Sequence, residues 1–185
     1  MQPDISLIDE FYHGSPFQVQ FPDVYHNQTN RDFGRGFYTF TERDDAYEWA
    51  LHKKKAQRCP DAFLNRYQLK DYASLSVFFF DRESDSDLMK WIDFIAFNRE
   101  YLDFVSKNPI GDTRYDLIIG PVANGFLAQS FQLLFSGAIP GDTWEARKKR
   151  FLVLLEHDRL SDQYCFKTKS AERKLKFIGA ERCYS

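Results

Sequence analysis

The chain carries the sequence Asp32-Phe33-Gly34-Arg35-Gly36-Phe37-Tyr38-Thr39-Phe40 in its first quarter. The two glycines permit a tight turn and a close approach of the backbone to a ligand, because glycine has no Cβ and tolerates positive φ. The aromatic and β-branched residues at 37–40 favour a short strand. This stretch therefore predicts a turn that opens directly into a strand.

The segments around this turn alternate between strand and helix patterns without a regular strand–helix–strand rhythm. We expect further strands at 7–13, 63–69, 75–80, 116–122, 163–168 and 175–178. We expect helices at 42–58, 88–105, 126–135 and 142–155 and a helical turn at 170–174, with Thr41 and either Asp142 or Thr143 as N-caps. This irregular order favours an α+β fold with mainly antiparallel pairing over a doubly wound parallel sheet.

Length and composition are those of one ordinary globular domain. A chain of 185 residues predicts a single domain over 1–185, and we expect a helical insertion in it around 81–110. Hydrophobic residues make up 43% and charged residues 28%, which excludes a disordered or collagen-like chain. A net charge of -2 gives no overall attraction to nucleic acid or to an anionic membrane.

Several features predict a cytoplasmic protein without a metal or a membrane partner. Cys59, Cys165 and Cys183 are odd in number and widely spaced, as is usual in reduced proteins, and they lack metal-ligand spacing, as do the four histidines. The N-terminal residues lack the basic and apolar regions of a secretory signal. The longest apolar runs are too short to span a bilayer.

Two further stretches stand out once common enzyme motifs are excluded: there is no P-loop, no paired-histidine zinc helix and no G-x-S-x-G. In Phe11-Tyr12-His13-Gly14-Ser15 the histidine can offer a ring nitrogen to a ligand hydroxyl, and Gly14 leaves its backbone accessible. In Asp162-Gln163-Tyr164-Cys165-Phe166 an amide side chain opens a strand. Taken alone, each stretch is more often structural than functional.

In this order and spacing, the three stretches resemble the ADP-ribosyltransferase catalytic domain of the poly-ADP-ribose polymerase, or diphtheria-toxin-like, branch. The chain is still more similar to a bacterial family known as domain of unknown function 3990. That similarity also includes Tyr115-Asp116-Leu117-Ile118-Ile119-Gly120-Pro121-Val122-Ala123 and Gln163-Tyr164-Cys165-Phe166-Lys167-Thr168. The resemblance covers nearly all residues from Tyr12 to Ile178. It implies two packed, mainly antiparallel sheets, flanked by helices, around an NAD cleft.

The resemblance implies NAD as substrate and assigns roles to individual residues. His13 would bind a ribose hydroxyl, and the Gly14 backbone would bind the nicotinamide carboxamide. Tyr38 and Trp49 would stack on the nicotinamide ring, and Gln163 would position the ribose or the acceptor. Other residues implied in NAD binding are Ser15, Asp32, Gly34, Gly36 and Phe37.

The sequence departs from the polymerase pattern at several positions. Gln163 stands where the polymerases have a glutamate, and a neutral amide cannot act as a general base. Asp162 is a poor substitute, because neighbouring residues on a strand point to opposite faces. Ala46 replaces a serine that binds the carboxamide, and Asn124-Gly125 replaces an expected acidic residue of the bacterial family. Polymer elongation is therefore not expected.

These observations predict a mono-ADP-ribosyltransferase that modifies a protein or a nucleic acid and releases nicotinamide. A role as a toxin or phage-defence effector, with an antitoxin or immunity partner, would fit. The alternatives are an NAD glycohydrolase and a non-catalytic module that binds NAD or ADP-ribose. Three basic clusters, at 52–58, 147–150 and 167–176, are either solvated faces or surfaces that guide a nucleic-acid acceptor.

Overall fold

The structure is a computed structural model that describes residues 3–26, 30–122, 125–155 and 160–184. Within these ranges, seven strands form one mixed sheet. They are β1 (Phe11–Ser15), β2 (Phe37–Phe40), β3 (Phe63–Leu69), β4 (Val77–Phe79), β5 (Leu117–Pro121), β6 (Asp162–Phe166) and β7 (Leu175–Arg182). Their order across the sheet is β4-β5-β6-β2-β1-β3-β7, and β4 and β5 are the parallel pair among otherwise antiparallel neighbours. The expected α+β class with mainly antiparallel pairing is confirmed.

The expectation of two packed sheets needs correction, since the described strands form one continuous sheet. β2 is the strand that joins its two halves. It pairs with β6 at four positions, from Phe37–Phe166 to Phe40–Gln163, and with β1 at Tyr12–Phe40. A single described pair on one side of β2 keeps the halves in one hydrogen-bonded sheet, and the junction between them is narrow.

In the described parts of the chain, five α-helices accompany the sheet: α1 (Arg43–Gln57), α2 (Asp85–Asn98), α3 (Gly125–Phe135), α4 (Trp144–Val153) and α5 (Lys169–Glu172). Thr143 caps α4 as expected, since its hydroxyl accepts a hydrogen bond from the Ala146 amide at 3.2 Å. Thr41 does not cap α1, which has Glu42 at the N-cap without a side-chain bond. Within the described parts of the chain, no helix has the length and apolarity needed to cross a bilayer.

Two boundaries differ from the sequence expectation for local reasons. α2 begins inside the expected loop because the Ser84 hydroxyl accepts a hydrogen bond from the Asp87 amide at 3.3 Å. The helix ends at Asn98, well before residue 105, and Glu100 just after it adopts a positive φ of 65°. The first strand starts only at Phe11, because Asp4 caps a short 3-10 turn at Ile5–Leu7.

The helices cover the sheet unevenly. α2, α3 and α4 bury a large aromatic cluster that includes Trp91, Phe131 and Phe151. A second cluster around Phe11 and Tyr67 involves the strands and the N-terminal segment. A third, smaller cluster lies where α1 packs on β1 and β3. Its small residues bring the axis of α1 close to the sheet, beside the predicted site.

Candidate functional site

β1 and β2 separate beside the residues predicted to form the site. Among the described residues, Tyr12–Phe40 is the one paired position between these strands, whereas β1 pairs with β3 along its whole length. Continuing the register would place Gly14 opposite Tyr38. The Gly14 edge that faces β2 is therefore outside the described β1–β2 ladder.

His13 bridges the two strands at this point with its side chain. Its Nδ1 lies 2.7 Å from the Tyr38 carbonyl oxygen, and because a carbonyl only accepts, Nδ1 carries the proton. The ring stacks on Phe37 with centroids 4.4 Å apart. Burial lowers the pKa of His13 to about 4, outweighing the hydrogen bond to Tyr38. The ring is therefore neutral at pH 7, and its Nε2 holds a lone pair with no hydrogen-bond partner among the described residues.

Gly14 is the residue of β1 on which the backbone of α1 packs most closely. A Cβ at this position would lie 2.7 Å from the Ala50 backbone nitrogen and closer still to the Ala46 carbonyl oxygen. Ala46 and Ala50 are themselves fully buried, one helical turn apart. This contact places the half-buried Trp49 of α1 above the same face of the sheet.

Trp49 is surrounded by positive and aromatic groups. It stacks on His52 of the next turn with centroids 5.2 Å apart, and the Lys53 ammonium lies 5.7 Å from the Trp49 ring centroid. Burial and the positive charge of Arg31 both lower the pKa of Lys53. The charge of Lys53 also contributes to lowering the pKa of His13. This side of the site is therefore electropositive.

The turn at 33–36 fixes Tyr38. The Tyr38 hydroxyl donates to the Gly34 carbonyl at 2.5 Å and accepts the Phe33 amide at 3.1 Å. Burial raises the pKa of this hydroxyl well above its usual value. The ring packs against the aromatic cluster beside Cys165, so Tyr38 is held rigidly as a neutral phenol.

Gly34 and Gly36 approach other parts of the protein closely. Gly34 has a φ of 71°, and a Cβ there would lie 2.6 Å from Asn98 Oδ1. A Cβ at Gly36 would lie 2.8 Å from the Phe166 carbonyl oxygen and nearer still to Cys165 Sγ. The two glycines thus allow the turn to pack on β6 and on the end of α2.

Gln163 belongs to a polar cluster that the sequence alone does not bring together. Its Nε2 donates to the Pro121 carbonyl at 3.2 Å and lies 3.4 Å from Asp32 Oδ2. The Asp32 carboxylate is paired with Arg99, whose Nε lies 3.1 Å from Oδ1. Asn98 donates to the Asp32 carbonyl at 3.2 Å. A glutamate at 163 would set a carboxylate against both Asp32 and a carbonyl oxygen, so the amide suits this position.

The expected site residues divide between the two faces of the sheet, because side chains alternate along each strand. One face carries Gly14, Tyr38 and Gln163, and the other carries His13, Ser15 and Phe37. Asp162 also lies on the face opposite Gln163, where its Oδ1 is buried without a hydrogen-bond partner among the described residues and burial raises its pKa. His13 therefore meets the other site residues only at the gap between β1 and β2.

Sequence reasoning missed one residue that organises this gap. Asn65 is fully buried, and its Nδ2 donates to the carbonyls of His13 and Phe17 at 3.2 and 3.1 Å, while its Oδ1 accepts the Val19 amide at 2.7 Å. The Ser15 hydroxyl accepts the Phe17 amide at 3.2 Å. Asn65 shares the alternate positions of strand 63–69 with Phe63, Tyr67 and Leu69, and a polar residue in this otherwise apolar row was the available signal.

Two cavities lie outside the predicted residues. One of about 660 Å³ is bordered by Tyr12, Thr41, Glu42 and Tyr164 among others. The second, of about 580 Å³, lies at the C-terminal end of α1. In the described parts of the chain, no three histidine, cysteine or acidic side chains are placed to hold a metal ion. Asn124, which stands where the bacterial family is expected to have an acidic residue, lies outside the described residues.

Comparisons with known proteins give one result. The model of the family described as "Protein of unknown function (DUF3990)" matches residues 10–177. No curated protein and no solved structure matches the chain. The expected similarity to this family is confirmed over nearly the whole sequence.

Proposed function

We propose that this chain, which belongs to the DUF3990 family, binds NAD and transfers its ADP-ribose group to a macromolecule with release of nicotinamide. The proposal includes kinship with the ADP-ribosyltransferase catalytic domain. The observation that best supports this proposal is the state of the His13 ring. This histidine is neutral, its tautomer is set by the Tyr38 carbonyl, and its Nε2 is left to accept a hydrogen bond beside Gly14.

The roles of the residues follow from their chemistry. Nε2 of His13 accepts a hydrogen bond from a ribose hydroxyl, and the Gly14 edge outside the β1–β2 ladder receives the nicotinamide carboxamide. The bond between C1′ of the ribose and the nicotinamide nitrogen breaks, and its electron pair leaves with nicotinamide. A lone pair of the acceptor forms the new bond to C1′, and the acceptor's proton passes to water. Positive charge develops at C1′ as in glycoside cleavage.

Asp32 supplies the negative charge that Gln163 lacks. Its Oδ2 lies 3.4 Å from the Gln163 amide, so the carboxylate stands next to the position where the polymerases have a glutamate. Arg99 holds this carboxylate in place from the end of α2. A fixed carboxylate near C1′ stabilises a developing cation without accepting a proton.

Lys53 and Arg31 supply charge of the opposite sign for the diphosphate of NAD. Among the described residues neither forms an ion pair with a carboxylate, and the pKa of Lys53 is lowered by burial and by Arg31. Two cations that repel each other in a partly buried place are stabilised when an anion binds between them. Trp49 beneath Lys53 offers a flat surface to the same ligand.

A non-catalytic NAD-binding module is the second candidate, and Gln163 is the observation that favours it. Its amide donates to a carbonyl and to a carboxylate that is already paired with Arg99, an arrangement that also suits a purely structural contact. An NAD glycohydrolase would use the same residues with water as the acceptor.

The test is nicotinamide release by the purified chain. We expect His13→Ala to lower the rate by about 100-fold or more, because the ribose loses an oriented partner. His26→Ala, at an exposed histidine outside the site, is the matched control and keeps the rate. Thermal unfolding checks that both variants are folded. Equal rates for the wild type and His13→Ala would contradict the proposal.

A further inference from the structure

The three basic clusters of the sequence have different surroundings in the structure. In the cluster at 167–176, Lys169 pairs with Asp23 and Glu172 at 2.8 and 3.0 Å. In the cluster at 147–150, Lys148 is almost fully buried and pairs with Asp93 and Glu145 at 2.6 and 2.7 Å. Each of these two clusters therefore has a lysine whose charge is paired within the protein.

The cluster at the end of α1 is different. Lys54, Lys55 and Arg58 form no ion pair or side-chain hydrogen bond with any residue that the structure describes. They line the cavity of about 580 Å³, whose other lining residues are Leu51, His52 and Cys59. Among the described residues, no carboxylate borders this cavity, and Lys54, Lys55 and Arg58 give its otherwise largely apolar lining a positive charge. We call it the α1 groove.

The groove is shaped by the way in which α1 ends. Arg58 adopts a left-handed conformation with a φ of 55°, which turns the chain back on the helix, and the Cys59 amide then donates to the Lys54 carbonyl at 3.0 Å. The helix dipole favours cations at this end of a helix. It does not explain why three of them line a concave surface, where their mutual repulsion is greater than on a convex one.

The α1 groove adjoins the proposed NAD site through the helix itself. His52 lines the groove and stacks on Trp49, and the Lys53 ammonium lies 5.7 Å from the centroid of the same ring. A polyanion in the groove would thus run past the site at which ADP-ribose is released. A net charge of -2 for the whole chain makes this a local attraction.

We infer that the α1 groove binds the phosphate backbone of a nucleic acid, which makes a nucleic acid the acceptor of the ADP-ribose group. This inference rests on the proposed function for the transfer step. The binding of nucleic acid is inferred from the groove alone and does not depend on NAD, so it is measured without NAD. Three unpaired cations match three backbone phosphates.

The experiment measures binding of fluorescein-labelled 20-nucleotide single strands, one of DNA and one of RNA, by anisotropy between 50 and 400 mM NaCl. Three phosphate contacts predict a slope of roughly -2 for log K against log salt concentration. The triple variant Lys54→Gln/Lys55→Gln/Arg58→Gln should lose about 100-fold in affinity at 0.1 M salt, together with most of that slope.

A matched variant removes three exposed charges elsewhere, Lys149→Gln/Arg150→Gln/Lys176→Gln, and should bind as the wild type does. Absence of binding by the wild type at 50 mM NaCl, or equal losses in the two triple variants, would overturn the inference. Nicotinamide release, assayed separately, reports on the proposed function. A chain that binds nucleic acid through the groove and releases no nicotinamide would refute the function and leave the groove established.

Discussion

At the scale of single residues, His13 explains most of the proposed chemistry. A histidine that must accept a hydrogen bond has to be neutral and has to keep its proton on the other nitrogen. The Tyr38 carbonyl fixes the proton on Nδ1, and burial keeps the ring neutral. The stacked Phe37 and the Asn65 contact to the His13 carbonyl hold the ring and the backbone in this arrangement.

The lowered pKa of His13 makes the stability of the fold depend on pH. The unfolded chain takes up a proton near pH 6.5, whereas the folded chain does so only near pH 4. Above pH 6.5 the folded state therefore keeps all of the stability that depends on the neutral ring of His13. This part of the free energy of unfolding, about 3 kcal/mol, is lost as the pH falls from 6.5 to 4.

Urea unfolding at pH 7 and pH 4.5 measures this contribution. Between these two values, we expect the free energy of unfolding of the wild type to fall by about 2 to 3 kcal/mol more than that of His13→Ala. The subtraction removes the effect of other titrating groups. Parallel pH dependences for the two proteins would show that His13 is not buried as a neutral ring.

At the scale of elements, the packing of α1 on β1 determines where Trp49 and Lys53 lie. Gly14→Ala would push a methyl group into the backbone of α1 at Ala46 and Ala50. We expect it to lower the free energy of unfolding by about 1–3 kcal/mol, as overpacking does, and to weaken NAD binding as the helix shifts. Chemical denaturation and calorimetric titration with NAD measure the two effects.

Gly111→Ala is the comparison variant for this change. Gly111 has open space around it, so the substitution adds only the strain of a positive φ of 75° and no clash. It should leave NAD binding unchanged. A Gly14→Ala protein with the NAD affinity of the wild type would mean that α1 does not position the site.

The sequence predicted the elements well and their long-range contacts poorly. The glycine turn at 32–36 and the strands at 37–40 and 63–69 have local signals, and each lies where the pattern placed it. The contact of Arg99 with Asp32 joins residues 67 positions apart, and periodicity carries no information about such pairs. For the same reason the junction at β2, which makes one sheet of an expected two, was invisible in the sequence.

The environment of Gln163 shows the same limit within the site. The sequence shows an amide where a glutamate was expected, and on its own this reads as a weakened catalytic residue. The structure gives the amide two acceptors, the Pro121 carbonyl and the Asp32 carboxylate. The segment at 81–110, whose role the sequence left open, supplies Arg99 and Asn98 to this cluster from the end of α2.

At the scale of the whole molecule, the sheet order places the strands that carry the predicted residues next to one another at its centre. β6, β2 and β1 are adjacent, so Gln163, Tyr38 and His13 come from three neighbouring strands. α1 covers one side of this centre and continues into the positively charged groove. The proposed nucleic-acid surface thus adjoins the proposed NAD site through α1.

The most direct test of ADP-ribose transfer is incubation of the purified chain with NAD labelled on its adenosine side and with a cell lysate. We predict that label becomes attached to macromolecules in step with nicotinamide release, and that His13→Ala attaches none. Digestion with nuclease or protease then identifies the labelled class. Label that remains in intact NAD, or that appears only as free ADP-ribose, would contradict the transferase assignment.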